Sequence, residues 1–121
     1  MTGDDDIARD VDMLLRDLAG VTPTLITEKD RPTTSKVRYV AGGQQLLRAD
    51  REVTSPIGDD VADAVFEAAQ KELEDAGALI VSDYGKGTVT ASLVARLIGA
   101  ANAAGKPVIV DPKSRDFTRY A

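Results

Sequence analysis

A chain of 121 residues with 43% apolar and 29% charged positions has the size and composition of one small soluble domain, not of a disordered segment. Its formal net charge of -5 and aromatic content of 4% give no basis for nucleic-acid binding by charge or by base stacking. The lack of cysteine and histidine removes disulfides, thiolate zinc sites, cysteine nucleophiles and histidine-dependent triads; carboxylate, lysine, arginine, hydroxyl and backbone chemistry remain.

No apolar run approaches the roughly 20 residues of a membrane span, and the acidic opening MTGDDD does not resemble a signal peptide, so a cytoplasmic location is expected. Residues 5 to 18 place Ile7, Val11, Leu14, Leu15 and Leu18 at helical spacing, with acids at the start where the helix dipole favours them and Gly20 as the stop. The run Asp4 to Asp6 is a helix-start signal, since adjacent side chains diverge and make a poor metal cluster. TPTLITE follows as a short strand candidate.

Residues 35 to 50 predict a β-hairpin, with Gly42 and Gly43 supplying the positive φ angles of a primed two-residue turn. That register puts Val37, Tyr39, Ala41, Leu46 and Arg48 on one face, expected as core, and Lys36, Arg38, Val40, Gln45 and Leu47 on the other. Between residues 29 and 51 six cations (Lys29, Arg31, Lys36, Arg38, Arg48, Arg51) face two acids (Asp30, Asp50) in an acidic chain. This basic element suits a phosphorylated small molecule, but it equally suits a solvated face or an edge protected by charge, with Arg48 and Asp50 as a same-face pair.

Residues 58 to 75 predict an amphipathic helix with Val61, Ala62, Val65, Phe66, Ala68, Ala69 and Leu73 inward, ended by Gly77. ALIVSD then predicts a strand, Thr90 to Ala104 a helix striped with Leu93, Val94, Leu97 and Ile98, and PVIVD a second strand. Continuous Val/Ile/Leu runs in this order predict a parallel sheet covered on both faces. Phe117 and Tyr120, at helical spacing, read as packing residues.

Parallel strands send their exit loops to one sheet edge, where ligands of open α/β sheets bind. One strand here exits as Asp83-Tyr84-Gly85-Lys86-Gly87 and the other as Asp111-Pro112-Lys113. Lysine suits phosphate oxygens, the carboxylates suit sugar hydroxyls or a hydrated magnesium ion, and Gly85 and Gly87 let backbone N–H groups approach an anion. Equally, Asp83 caps the following turn, Lys86 is solvated and Asp111 ends a strand.

Three stretches in order, RPTTSKVRYVAGGQQLLRAD, ALIVSDYGKG and PVIVDPKSRDFTRY, resemble the ribokinase-like family of sugar kinases, and within it the heptose 7-phosphate kinases. The resemblance covers the chain from about Gly3 onward. It implies part of a doubly wound α/β domain with a small β-hairpin lid, ATP as donor and Mg2+ as helper. It further implies phosphorylation of heptose 7-phosphate at its anomeric position on the way to ADP-heptose and lipopolysaccharide core. By position in the motifs, Lys36, Arg38 and Gln45 are expected around the sugar phosphate, Asp83 and Lys86 at the floor of the cleft, and Asp111 and Lys113 beside the transferred phosphoryl group.

A complete family member is longer, with a glycine-rich sugar-binding segment upstream and a GAGD segment downstream that carries the general base. Residues 1 to 121 are therefore expected to be an internal fragment of one kinase domain, with no catalytic base, no metal ligand assigned and no activity by itself. The expected partners are a phosphosugar and ATP, with no nucleic acid and no membrane; homodimerisation of the full-length protein is left open. Another ribokinase-like sugar kinase, or a non-catalytic α/β module that binds a phosphorylated ligand, are the alternatives.

Overall fold

A computed structural model describes residues 1–113 and 116–120; Ser114 and Arg115 of the third motif, and Ala121, lie outside the described residues. The chain is α/β and forms two compact units, Met1–Val53 and Thr54–Ala121.

In the first unit, α1 (Asp6–Arg16) starts where the sequence places acids. Asp5 is its N-cap: one carboxylate oxygen accepts from the Ala8 amide at 3.0 Å, the other from the Thr33 amide at 2.9 Å. The Gly3 amide donates to the Thr33 hydroxyl at 2.9 Å, so capping also ties the helix start to the segment before the hairpin. TPTLITE forms no strand. It makes one isolated parallel bridge, Thr2 to Thr27, through the Thr2 amide to the Ile26 carbonyl and the Glu28 amide to the Thr2 carbonyl, both 2.9 Å.

Strands β1 (Ser35–Ala41) and β2 (Gln44–Arg51) form the expected antiparallel hairpin around Gly42 and Gly43, whose φ angles are 57° and 78°. The register departs from expectation beyond the turn. Val40 faces Gln45, but Tyr39 faces Leu47, so a β-bulge inserts Leu46 and shifts the rest of β2 by one residue. Leu47 and Ala49 thereby join Val37 and Tyr39, while Arg48 and Asp50 join Lys36 and Arg38. A bulge-free pairing puts a charge among the apolar residues, and the bulge sorts the two faces cleanly. The apolar face is nevertheless not core: Val37, Tyr39 and Leu47 are 47%, 52% and 52% exposed.

In the second unit, α2 (Asp59–Leu73), β3 (Leu79–Asp83), α3 (Ala91–Ala103) and β4 (Val108–Pro112) follow the expected order, and a 3-10 turn spans Thr118–Tyr120. Helix α2 ends at Leu73, ahead of Gly77. Helix α3 starts on Thr90, whose hydroxyl accepts from the Leu93 amide, and ends in a Schellman motif. There Gly105, at φ 67°, donates to the Asn102 carbonyl and Lys106 to the Ala101 carbonyl. Leu93, Val94 and Ala101 of α3 are buried with Ala62 and Leu73 of α2, and Arg96 lies 4.2 Å over the Phe66 ring while pairing with Asp63 at 2.6 Å.

Strands β3 and β4 pair in parallel, as expected, with Ser82 opposite Asp111 and Asp83 opposite Pro112. Covering on both faces does not occur. Val81 is buried and Leu79, Val108 and Val110 are half-buried, whereas Ile80 and Ile109 on the other face are 67% and 56% exposed.

Candidate functional site

The exit of β3 is built around Asp83, which is only 4% exposed. Buried carboxylates persist where hydrogen bonds and cations offset the loss of water. One Asp83 oxygen accepts from the Gly85 amide at 2.8 Å, closing a tight turn that Gly85 accommodates at φ 64°. The other accepts from the Tyr120 hydroxyl at 2.7 Å and lies 3.5 Å from an Arg119 guanidinium nitrogen. The hydrogen bond to Asp83, followed by burial, pushes the Tyr120 phenol above its ordinary range. A second Arg119 nitrogen donates to the Val89 carbonyl at 2.6 Å.

The glycines serve local structure more directly than the anion-cradle reading expects. The Gly85 amide is taken by Asp83. Gly87, at φ 81°, lies under the Thr54–Ser55 backbone, where any Cβ would overlap the Ser55 carbonyl, and its own carbonyl accepts from the Ile57 amide at 3.1 Å.

A cavity of about 280 Å³ opens here, lined by Thr54, Pro56, Asp83, Gly85, Gly87, Val89, Thr90, Ala91 and Arg119. It holds a buried acceptor, a cation and threonine hydroxyls, and is of a size for one small polar molecule.

The parallel register brings Asp83 and Asp111 to one sheet edge but to opposite faces, because they occupy neighbouring register positions. Asp111 shares the exposed face with Ile80 and Ser82. The two loops do meet: a Cβ at Gly85 would stand 3.7 Å from Cγ of Lys113. Lys86 is half-buried and Lys113 exposed. Among the described residues no three carboxylates cluster to hold a metal ion.

In the first unit, Lys36, Arg38 and Gln45 share one hairpin face. Lys36 pairs with Asp50 at 2.7 Å and with Glu52 at 3.3 Å, and Arg48 forks onto Asp50 at 2.8 and 3.0 Å. These cations hold the Asp50 carboxyl below its ordinary range, and Asp50 raises the Lys36 ammonium. Arg31, counted above among the basic residues, is 8% exposed, pairs with Glu28 and donates to the Val53 carbonyl at 3.1 Å. The hairpin is therefore less basic than its composition. Arg38, opposite Arg48, makes no ion pair among the described residues.

The sequence gives no sign of Arg119 and marks Tyr120 only as a packing residue, whereas its hydroxyl reaches Asp83. The available signal was the amphipathic phenol: a half-buried tyrosine needs a partner for its hydroxyl, and Asp83 is that partner. Phe117, expected to pack alongside, is 64% exposed.

The chain is similar to proteins named bifunctional protein HldE. It is 43% identical over 121 residues to the protein of Paramagnetospirillum magneticum, covering 100% of this chain and 25% of that protein. Identity to the Caulobacter vibrioides protein is 46% over 120 residues, covering 99% and 24%, and to the Acidiphilium cryptum protein 37% over 121 residues, covering 100% and 25%. The chain thus spans about a quarter of the length of the curated relatives it matches. No protein-family profile matches the chain.

Proposed function

We propose that this chain forms the sugar-side wall of an ATP-dependent kinase of ribokinase-like, doubly wound architecture that phosphorylates heptose 7-phosphate at the anomeric position for ADP-heptose and lipopolysaccharide core synthesis in the cytoplasm. The observation that carries the reading is the buried, oriented Asp83 beside a small cavity at the C-terminal edge of a parallel strand pair. Similarity over the whole chain to bifunctional HldE proteins supports it.

In this reading Asp83 accepts from sugar hydroxyls, Lys86 sits with it at the cleft floor, and Lys36, Arg38 and Gln45 meet the sugar phosphate. Asp111 and Lys113 serve the transferred phosphoryl group, where positioning and charge stabilisation carry most of the catalysis. The carboxylates present suit a Mg2+ ion carried chiefly by nucleotide phosphates and water, with Asp111 as the exposed candidate for outer contact. Mg2+ would neutralise charge on the transferring phosphate. No residue here is assigned as the base, so this chain alone is expected to be inactive.

The test is ATP-dependent phosphorylation by the complete gene product across a panel of sugar phosphates. Preference for heptose 7-phosphate supports the reading, and preference for another sugar moves it to a different kinase. Saturable sugar-phosphate binding without any turnover supports a non-catalytic module instead.

A further inference from the structure

Asp83 obtains both of its side-chain partners on the second oxygen from the 3-10 turn, more than thirty residues downstream. Arg119 is locked by the Val89 carbonyl, and its Nε is buried with no acceptor among the described residues. Arg119 thus pairs with Asp83, and the two share the cavity wall.

We infer that Arg119 and Tyr120 are positioning residues, which fix the Asp83 carboxylate on the cavity wall as an acceptor for the hydroxyls of a phosphosugar. The substrate class rests on the kinase reading above; the coupling to Asp83 rests on the geometry alone. Tyr120 fixes the direction of one oxygen, Arg119 places a cation 3.5 Å from that same oxygen, and the Gly85 amide holds the other. Asp83 lines the cavity, and a carboxylate has acceptor capacity beyond these partners for a hydroxyl-bearing ligand.

The experiment uses the complete gene product and the variants Tyr120→Phe, Arg119→Lys, Arg119→Ala and Asp83→Asn, with the Asp83→Asn/Tyr120→Phe double. Tyr120→Phe is expected to raise the KM for heptose 7-phosphate about 3- to 10-fold, the range of one hydrogen bond, with the KM for ATP unchanged. Arg119→Lys should recover part of what Arg119→Ala loses. The double variant should be no worse than Asp83→Asn alone, because Tyr120 acts through Asp83. Multiplying effects in the double, or a wild-type KM in Tyr120→Phe, would overturn the inference.

A ligand-free readout separates this from the kinase reading. In an ultraviolet titration of the tyrosines, Tyr120 should ionise late and Asp83→Asn should bring it down toward the ordinary phenol range. An unshifted phenol would overturn the coupling even in an active enzyme. If the wild-type product phosphorylates no sugar, the kinase reading fails and this titration alone decides the coupling.

Discussion

Asp50 shows how one carboxylate can set the charge of a whole face. It receives Lys36 and Arg48 together, and with Glu52, which also pairs with Lys36, it offsets the charge of both cations. Replacing it, Asp50→Asn, should bring the Lys36 ammonium down toward its ordinary value of 10.5, measurable by NMR of the side-chain amine. At the phosphosugar site proposed for this face, the same change should tighten anion binding, an effect that fades with added salt. The residue types at the site were legible in the sequence: Asp83, Lys86, Asp111 and Lys113 stand at one edge as expected. Their grouping was not, because strand parity sends Asp83 and Asp111 to opposite faces and a residue far downstream satisfies Asp83.

Elements followed the sequence where local chemistry and periodicity agreed, as in α2, α3, β3 and β4. They departed where a non-local term decided. TPTLITE has β-forming residues but, among the described residues, only Thr2 to pair with, and two backbone bonds make a bridge, not a strand. The hairpin obeyed its glycine turn and then admitted a bulge, because face sorting outweighed a regular ladder. Two substitutions probe the second unit. Phe66→Ala removes the ring under Arg96 and should cost about 2 kcal/mol in thermal or denaturant unfolding, less than for a fully buried phenylalanine. Gly105→Ala forces a side chain into the left-handed region at the α3 terminus and should cost about 1 kcal/mol by the same measurement.

Across the whole chain, the small core leaves much apolar surface in water. Ile80 and Ile109 lie side by side on the open face of the parallel pair, and the hairpin presents Val37, Tyr39 and Leu47. The chain by itself is expected to self-associate, seen as a concentration-dependent sedimentation coefficient, and Ile80→Thr with Ile109→Thr should reduce this. Stability should also bend at both ends of the pH scale. Asp5 and Asp50 are held below their ordinary 3.8, so their contribution is present above that value and is lost as pH falls through the depressed folded values. Lys36 and Tyr120 are raised above 10.5 and 10.0, so theirs is present below those values and is lost as pH rises through the raised ones. A melting-temperature profile from acid to base should show a plateau between these limits.

The proposed role of the Asp83 edge of the β3–β4 pair is to handle a phosphosugar in a kinase reaction. Its most direct test is the kcat/KM of the complete gene product for heptose 7-phosphate with ATP, measured for the wild type and for Asp83→Asn with its fold verified. The expected result is robust turnover by the wild type and a loss of about 10- to 100-fold in the variant, the range of a hydrogen bond to a charged group. Equal turnover by the two proteins, or none by the wild type, would contradict that role.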